Sequence, residues 1–238
     1  MKVDRNSQKF TRNVAKRTRR AGRAYVICSI KNGGREVRLE SRLEQSIARA
    51  LELDPRVTSY RSQPFTVELS TGALLTEKPS RKPKDAQYYT PDFEVTLPHL
   101  DVIVEVKHSK WVAQHTDLFS RVHSVLKQHG KRFIVVTEDS MPGHLERNIE
   151  MFSPYISQVR EQLLNWAEAL TGSSPDALRG HVHTLPRGGQ PLNYIVAAGV
   201  LLGLIKFDLR ADLFEHLDFE IEPAFGCLDA FEVIDFGE

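Results

Sequence analysis

Cysteine is nearly absent: Cys28 and Cys227 are the two in 238 residues. One pair excludes a disulfide framework and gives no thiol set spaced as zinc ligands, although a single bridge stays open. A reducing, cytosolic setting is the simple expectation. Long apolar runs are missing as well. No segment approaches the roughly 20 apolar residues of a membrane span, and the opening M-K-V-D-R-N-S-Q-K-F-T-R lacks the apolar stretch of a secretory signal. The expectation is therefore a cytoplasmic protein with no membrane partner. Net charge is also small, +1 at pH 7.

That small sum hides a separation. Residues 1–23 hold nine Lys or Arg against one acid, and residues 207–238 hold ten acids against Arg210. A flexible basic arm for nucleic acid (1–23) and an acidic tail for another partner (211–238) are expected, each with a plain solubilising terminus as its alternative. Lys16, Arg17, Arg19, Arg20 and Arg23 form the densest cluster of the arm, suited to salt-sensitive, sequence-independent phosphate contacts. A long connection over 71–87 adds Lys82 and Lys84, beside Lys78 and Arg81. It is either a second place for a DNA backbone or a solvated loop. Between the termini, 41% hydrophobic residues suffice for a sizeable core, and the length suits one ordinary domain with a small second one.

Periodicity gives the order of elements. A strand over 24–30, the turn Lys31-Asn32-Gly33-Gly34 and a return over 35–39 read as a hairpin. A helix starts at Ser41, with Leu43, Ile47, Ala50 and Leu51 at helical spacing and Asp54-Pro55 as its stop. A strand follows over 64–70. Strands over 92–97 and 102–107 are joined by Pro98-His99-Leu100-Asp101. A helix from Thr116 to Gly130 and an apolar strand over 132–137 complete a strand–helix–strand unit, which predicts parallel pairing. Next come a short helix over 144–151 and a longer one over 156–170, with Ile156, Val159, Leu163, Leu164 and Trp166 as its core positions. After the break T-G-S-S-P lie a helix over 176–182, an apolar helix over 192–204 and a short strand over 206–209. These last pieces resemble a winged-helix module. The apolar helix offers base edges only Asn193 and Tyr194, so it is expected to pack internally or on a protein partner rather than read DNA.

The chemistry concentrates in Y-Y-T-P-D-F-E-V-T-L-P-H-L-D-V-I-V-E-V-K (88–107). Strand alternation puts Ile103, Glu105 and Lys107 on one face and Val102, Val104 and Val106 on the other. Asp92 and Glu105 on paired strands can hold a hard divalent cation through oxygen. Lys107 beside them can position a water or neutralise a phosphate. That set suits phosphodiester hydrolysis; a solvated cross-strand pair at a strand end is the plain alternative. On the helix, Glu44 has Ile47, Ala48 and Leu51 on its own side, so its carboxylate leans towards the apolar stripe. Ser41-x-x-Glu44 is also a capping box, which gives Glu44 a structural reading.

Taken in order, Glu44 on a helix, Gln63-Pro64 before a strand, Pro91-Asp92-Phe93 and Glu105-Val106-Lys107 resemble the restriction-endonuclease-like PD-(D/E)xK pattern. The stretch S-R-L-E-Q-S-I-A-R-A-L-E-L-D-P-R-V-T-S-Y-R-S-Q-P-F, and later V-T-E-D with L-E-R-N-I, resemble TnsA, the endonuclease subunit of heteromeric cut-and-paste transposases. The resemblance spans about residues 24–210. It implies an α/β fold: a mixed-sheet nuclease domain flanked by helices (24–152) and a small winged-helix-like domain (153–210). It implies Mg²⁺, with Mn²⁺ able to substitute, held directly by Asp92 and Glu105, with the Val106 carbonyl as a further ligand, Glu44 binding directly or through water, and Lys107 positioning the attacking water. TnsA-type sequences can carry Gln at the position of Glu105; Glu here restores the commoner nuclease pattern. The implied role is cleavage at the 5′ ends of a transposon, on transposon-end DNA at the bacterial nucleoid. The implied partners are a TnsB-like transposase cutting the 3′ ends and a TnsC-like ATPase regulator. A free-standing PD-(D/E)xK nuclease and a catalytically silent DNA-binding adaptor are the alternatives.

Overall fold

A computed structural model describes residues 25–77, 79 and 86–237. All seven predicted DNA-contacting cations (Lys16, Arg17, Arg19, Arg20, Arg23, Lys82 and Lys84) lie outside the described residues. The protein is mixed α/β and divides into two compact units. Of the described residues, one gathers those up to Glu52, those within Arg56–Ser140 and those from Ile234 on; the other comprises Leu53–Pro55 and Met141–Val233. Among the described residues no helix is long and apolar enough to cross a membrane.

The first unit opens with an antiparallel hairpin of β1 (Tyr25–Ser29) and β2 (Arg35–Leu39). Gly33 and Gly34 turn it at φ 68° and 76°, a conformation that costs glycine nothing. Helix α1 (Arg42–Leu53) follows, with Ile47, Ala48, Ala50 and Leu51 fully buried. The chain then builds two small sheets from bent strands. β3 (Ser59–Ser62) continues past Gln63–Phe65 into β4 (Thr66–Glu68), which pairs with β5 (Ala73–Leu75) and with β6 (Tyr88–Tyr89). β6 in turn bends at Thr90–Asp92 into β7 (Phe93–Thr96). The two bends are joined, because the Gln63 amide donates to the Asp92 carbonyl at 2.8 Å. Gln63 has φ 46° there, an unusual conformation for a non-glycine residue.

β7 pairs antiparallel with β8 (Asp101–Val106), with Phe93 opposite Val104. The short helix α2 (Ser109–Val112) and α3 (Thr116–Gln128) then lead to β9 (Arg132–Val136), parallel to β8 with Val102 opposite Arg132. The resulting order is β3-β7-β8-β9, in which β8 is an inner strand buried from Val102 to Val106. Phe119, Val122 and Leu126 of α3 share one apolar cluster with Phe65, Val67, Tyr89 and Ile103. Ile103 lies two positions before Glu105, so that face of β8 is apolar in mid-strand and ionisable at its end.

The second unit contains α4 (Gly143–Ile156), α5 (Arg160–Trp166), α6 (Glu168–Thr171) and the apolar α7 (Leu192–Leu201), with strands β10 (Gly180–His181), β11 (Ile205–Lys206) and β12 (Glu220–Pro223). Its long segment runs from Met141 to Val233, and α4 continues past the expected helix end at 151. The expected helix over 156–170 is interrupted by Ser157–Val159 and again at Ala167. Val159 and Leu164 are consequently exposed, not core. The expected helix over 176–182 is a single 3₁₀ turn, Pro175–Leu178, capped by the Ser174 side chain and ended before Gly180 at φ 119°. Helix α7 packs internally, with Ile195 to Val200 all buried.

The largest departure concerns residues 211–238, expected as an acidic tail. β12 is the central strand of the order β10-β12-β11. Along it the acids point outward and Ile221 and Pro223 inward. Buried Asn148 of α4 donates to the Leu209 and Asp212 carbonyls at 2.9 and 2.7 Å and accepts the Phe214 amide at 2.8 Å. Phe152 meets Phe214 and Phe231 at ring-centroid distances of 4.8 and 5.7 Å. The final residues return to the first unit, where Arg56 donates to the Ile234 carbonyl and Arg132 to that of Phe236.

Candidate active site

Helix α1 begins on a reciprocal cap. The Glu44 amide donates to Ser41 Oγ at 3.1 Å, and Glu44 Oε2 accepts the Glu40 amide at 2.8 Å. The capping box is therefore real, although its return bond reaches the residue before Ser41 rather than Ser41 itself. Glu44 is nonetheless only 8% exposed, as its neighbours Ile47, Ala48 and Leu51 require.

Asp92 sits at the bend between β6 and β7, and its Oδ2 accepts the Val106 amide at 2.8 Å. That bond ties the mouth of β7 to the end of β8. One turn of the pleat earlier, Glu105 is 6% exposed, and its Oε2 accepts the Tyr89 hydroxyl at 2.5 Å. Its Oε1 lies 3.7 Å from Lys107 Nζ. The Lys107 amide extends the β8–β9 ladder by donating to the Val136 carbonyl at 3.0 Å, so the backbone beneath the ammonium is fixed. The following turn is held by Glu138, which accepts the Ser109 amide and hydroxyl, both at 2.9 Å. Those bonds, with His108 nearby, pull the Glu138 carboxyl down to about 2.

The electrostatics bring three acids together. Burial, then the charges of Glu105 and Glu44, push the Asp92 carboxyl well above the usual carboxylate range. Asp92 keeps part of its residue surface open, but its carboxyl is enclosed, and the upward direction follows from that and from its like-charged neighbours. Glu105 is raised by burial against the opposing pull of Tyr89 and Lys107. Glu44 is raised by burial, with Glu40 and Glu105 adding repulsion. Tyr89 is pushed well up by burial and by Glu105, so its phenol stays protonated as a donor. Carboxylates that are enclosed and repel one another favour a cation or a proton between them.

The donor set fits a hard divalent ion in chemistry: anionic oxygens, no sulfur, and an ammonium alongside. Among the described residues, however, no group of three or more His, Cys, Asp or Glu is arranged to hold a metal ion. The fit therefore rests on Asp92 and Glu105, with the Val106 carbonyl available as a neutral oxygen. Glu44 acts on both through charge while its own Oε2 remains on the helix cap.

Two participants were given no role at the site by the sequence pattern. Tyr89 reaches Glu105 from 16 positions upstream. Gln63 joins the turn before α1 to the site: its side chain donates to Glu40 Oε1 at 2.8 Å while its amide holds the Asp92 carbonyl. The Q-P pair was the only mark of Gln63. A cavity of about 570 Å³, lined in part by Asp208, Asp212, Glu220 and Glu222, belongs to the second unit and contains none of the predicted site residues.

No protein-family model matches the chain, and no curated protein matches its sequence.

Proposed function

We propose that the protein is a Mg²⁺-dependent DNA endonuclease of the PD-(D/E)xK type, cutting the 5′ ends of a transposon together with a TnsB-like transposase and under a TnsC-like ATPase. The observation that carries this reading is the meeting of Asp92, Glu105 and Lys107 at the ends of β7 and β8, with Glu44 coupled to both acids by charge. The sheet order β3-β7-β8-β9, antiparallel and then parallel around α3, supports a restriction-endonuclease-like core. The helices and three-stranded sheet of the second unit support a winged-helix-like module, one that includes residues beyond 210.

In this reading Asp92 and Glu105 hold the ion, with Val106 O completing the protein's share and Glu44 tuning the site through its charge. When bound, the ion supplies Lewis-acid polarisation of a phosphoryl oxygen; Mn²⁺ can take its place. Lys107 stands beside Glu105 Oε1, where it orients the attacking water and offsets charge building on the phosphate. The basic arm and the loop bearing Lys82 and Lys84 would add sequence-independent phosphate contacts.

The test is a 5′-end cleavage assay on transposon-end DNA with Mg²⁺ and the partner transposase. Asp92→Ala and Lys107→Ala are expected to lower cleavage by roughly a hundredfold to a thousandfold, the scale of removing one charge-stabilising group. Undiminished cleavage by both variants would reject the assignment. A silent DNA-binding adaptor would keep the fold and the DNA contacts without the ion. Asp92-dependent binding of a divalent ion separates the two readings.

A further inference from the structure

Each of the three acids has one oxygen tied to a protein donor. Glu44 Oε2 takes the Glu40 amide, Asp92 Oδ2 takes the Val106 amide, and Glu105 Oε2 takes the Tyr89 hydroxyl. The first two donors are backbone groups. The third, on Glu105, is the Tyr89 side chain, and it is placed firmly. Its ring is 8% exposed, belongs to the apolar cluster with Phe65, Ile103 and Phe119, and meets Phe133 edge-on at 6.3 Å. The hydroxyl cannot swing away from Glu105 without moving that core. Glu105 is thereby left with Oε1, the oxygen on the Lys107 side, to offer to a ligand.

We propose that Tyr89 is a positioning residue that sets cation selectivity, by restricting Glu105 to one ligating oxygen and so favouring Mg²⁺ over Ca²⁺. The proposal rests on the metal-site reading above. Mg²⁺ is small, demands near-octahedral geometry and uses few carboxylates, each through one oxygen, whereas Ca²⁺ accepts six to eight oxygens and takes carboxylates bidentately. A carboxylate whose second oxygen is held by a phenol cannot turn to present both. Loss of the hydroxyl frees that rotation while the ring still fills its place in the core.

The experiment measures Mg²⁺ and Ca²⁺ binding by titration calorimetry on the full chain, for the wild type, Tyr89→Phe, Tyr88→Phe and Asp92→Ala. Tyr88 is the control: its hydroxyl donates to Glu68 at 3.1 Å, outside the site. Tyr89→Phe should weaken Mg²⁺ by roughly tenfold, the low end for groups that orient a metal ligand. Ca²⁺ should bind unchanged or more tightly, so the Mg²⁺/Ca²⁺ ratio moves about tenfold towards Ca²⁺. Tyr88→Phe should move neither. If Tyr89→Phe leaves both affinities alone, or weakens both equally, Tyr89 does not set selectivity. If the wild type binds neither ion, or Asp92→Ala binds as the wild type does, the metal site itself is wrong and the proposal falls with it.

Discussion

Among the buried carboxylates of the first unit, Glu52 and the Asp92–Glu105 pair are built on opposite principles. Glu52, at the end of α1, is 8% exposed. It is saturated with donors: Ser29 Oγ at 2.7 Å, the Ile30 amide at 2.7 Å, the Lys31 amide at 3.0 Å and the Tyr60 hydroxyl at 2.8 Å. Glu105 is buried to a similar degree and the half-buried Asp92 has its carboxyl enclosed, yet each takes one firm donor and faces other acids. At Glu52 the protein replaces the water it removed, and the charge staples the β1–β2 hairpin to α1 and β3. At Asp92 and Glu105 it replaces only part, so the site is left short of positive charge. Burial alone does not separate the two kinds of acid; the degree of donor saturation does.

Carboxylate-to-amide substitution should break that comparison open, because one chemical change is expected to have opposite signs at the two sites. Glu52→Gln puts an NH₂ among four donors and removes the charge they solvate. Losing hydrogen bonds to a buried charged group costs about 2–3 kcal/mol, so urea unfolding should show a clearly lowered midpoint. A Glu52→Gln protein as stable as the wild type would mean that the four bonds contribute little.

Asp92→Asn should do the reverse in metal-free protein. At pH high enough for the Asp92 carboxyl to ionise, it deletes one of several mutually repelling buried charges while keeping the shape that accepts the Val106 amide. Relief of such a charge is worth on the order of 1 kcal/mol or more, or roughly 2–4 °C in melting temperature for a chain of this size. The gain would be bought with lost metal affinity, the usual trade at a functional site. A lower melting temperature for Asp92→Asn without metal would place Asp92 with Glu52 as a structural acid.

The two sites also differ in how they could be read from sequence. Asp92, Glu105 and Lys107 stand out because strand alternation and the turn at 98–101 fix their side of the sheet. Glu44 stands out because a cap and an apolar stripe overlap on it. Glu52 gave no sign, since its donors come from 21 to 23 residues upstream and 8 downstream and meet only after the hairpin docks. Tyr89 was hidden for a similar reason: its reach to Glu105 depends on the bend at Thr90–Asp92, which has no period. Residues 207–237 show the opposite error. Their nine acids drew attention, while Phe214, Phe219, Ile221 and Phe231 between them, all buried, decided the structure.

The smallest expected effect is the pH dependence of the metal-free protein, and its sign follows from the raised carboxyls. Asp92, Glu105 and Glu44 hold protons in the folded state at pH values where the unfolded chain, with carboxyls near their ordinary values of about 4, has lost them. The folded state therefore binds more protons, and stability falls as pH rises from about 4 through the raised folded-state values. Below that window the contribution is fully present; above it the repulsion is fully expressed. Saturating Mg²⁺ should oppose this trend, because the ion binds the deprotonated folded site and competes with the protons. Melting curves from pH 5 to 8 should thus slope downward without metal, and be flattened or reversed with it. In Asp92→Asn the metal-free slope should shrink, because the most strongly raised carboxyl is gone. A wild-type slope unaffected by either Mg²⁺ or Asp92→Asn would show that other groups set the pH response, and would remove the electrostatic argument that joins these acids into one site.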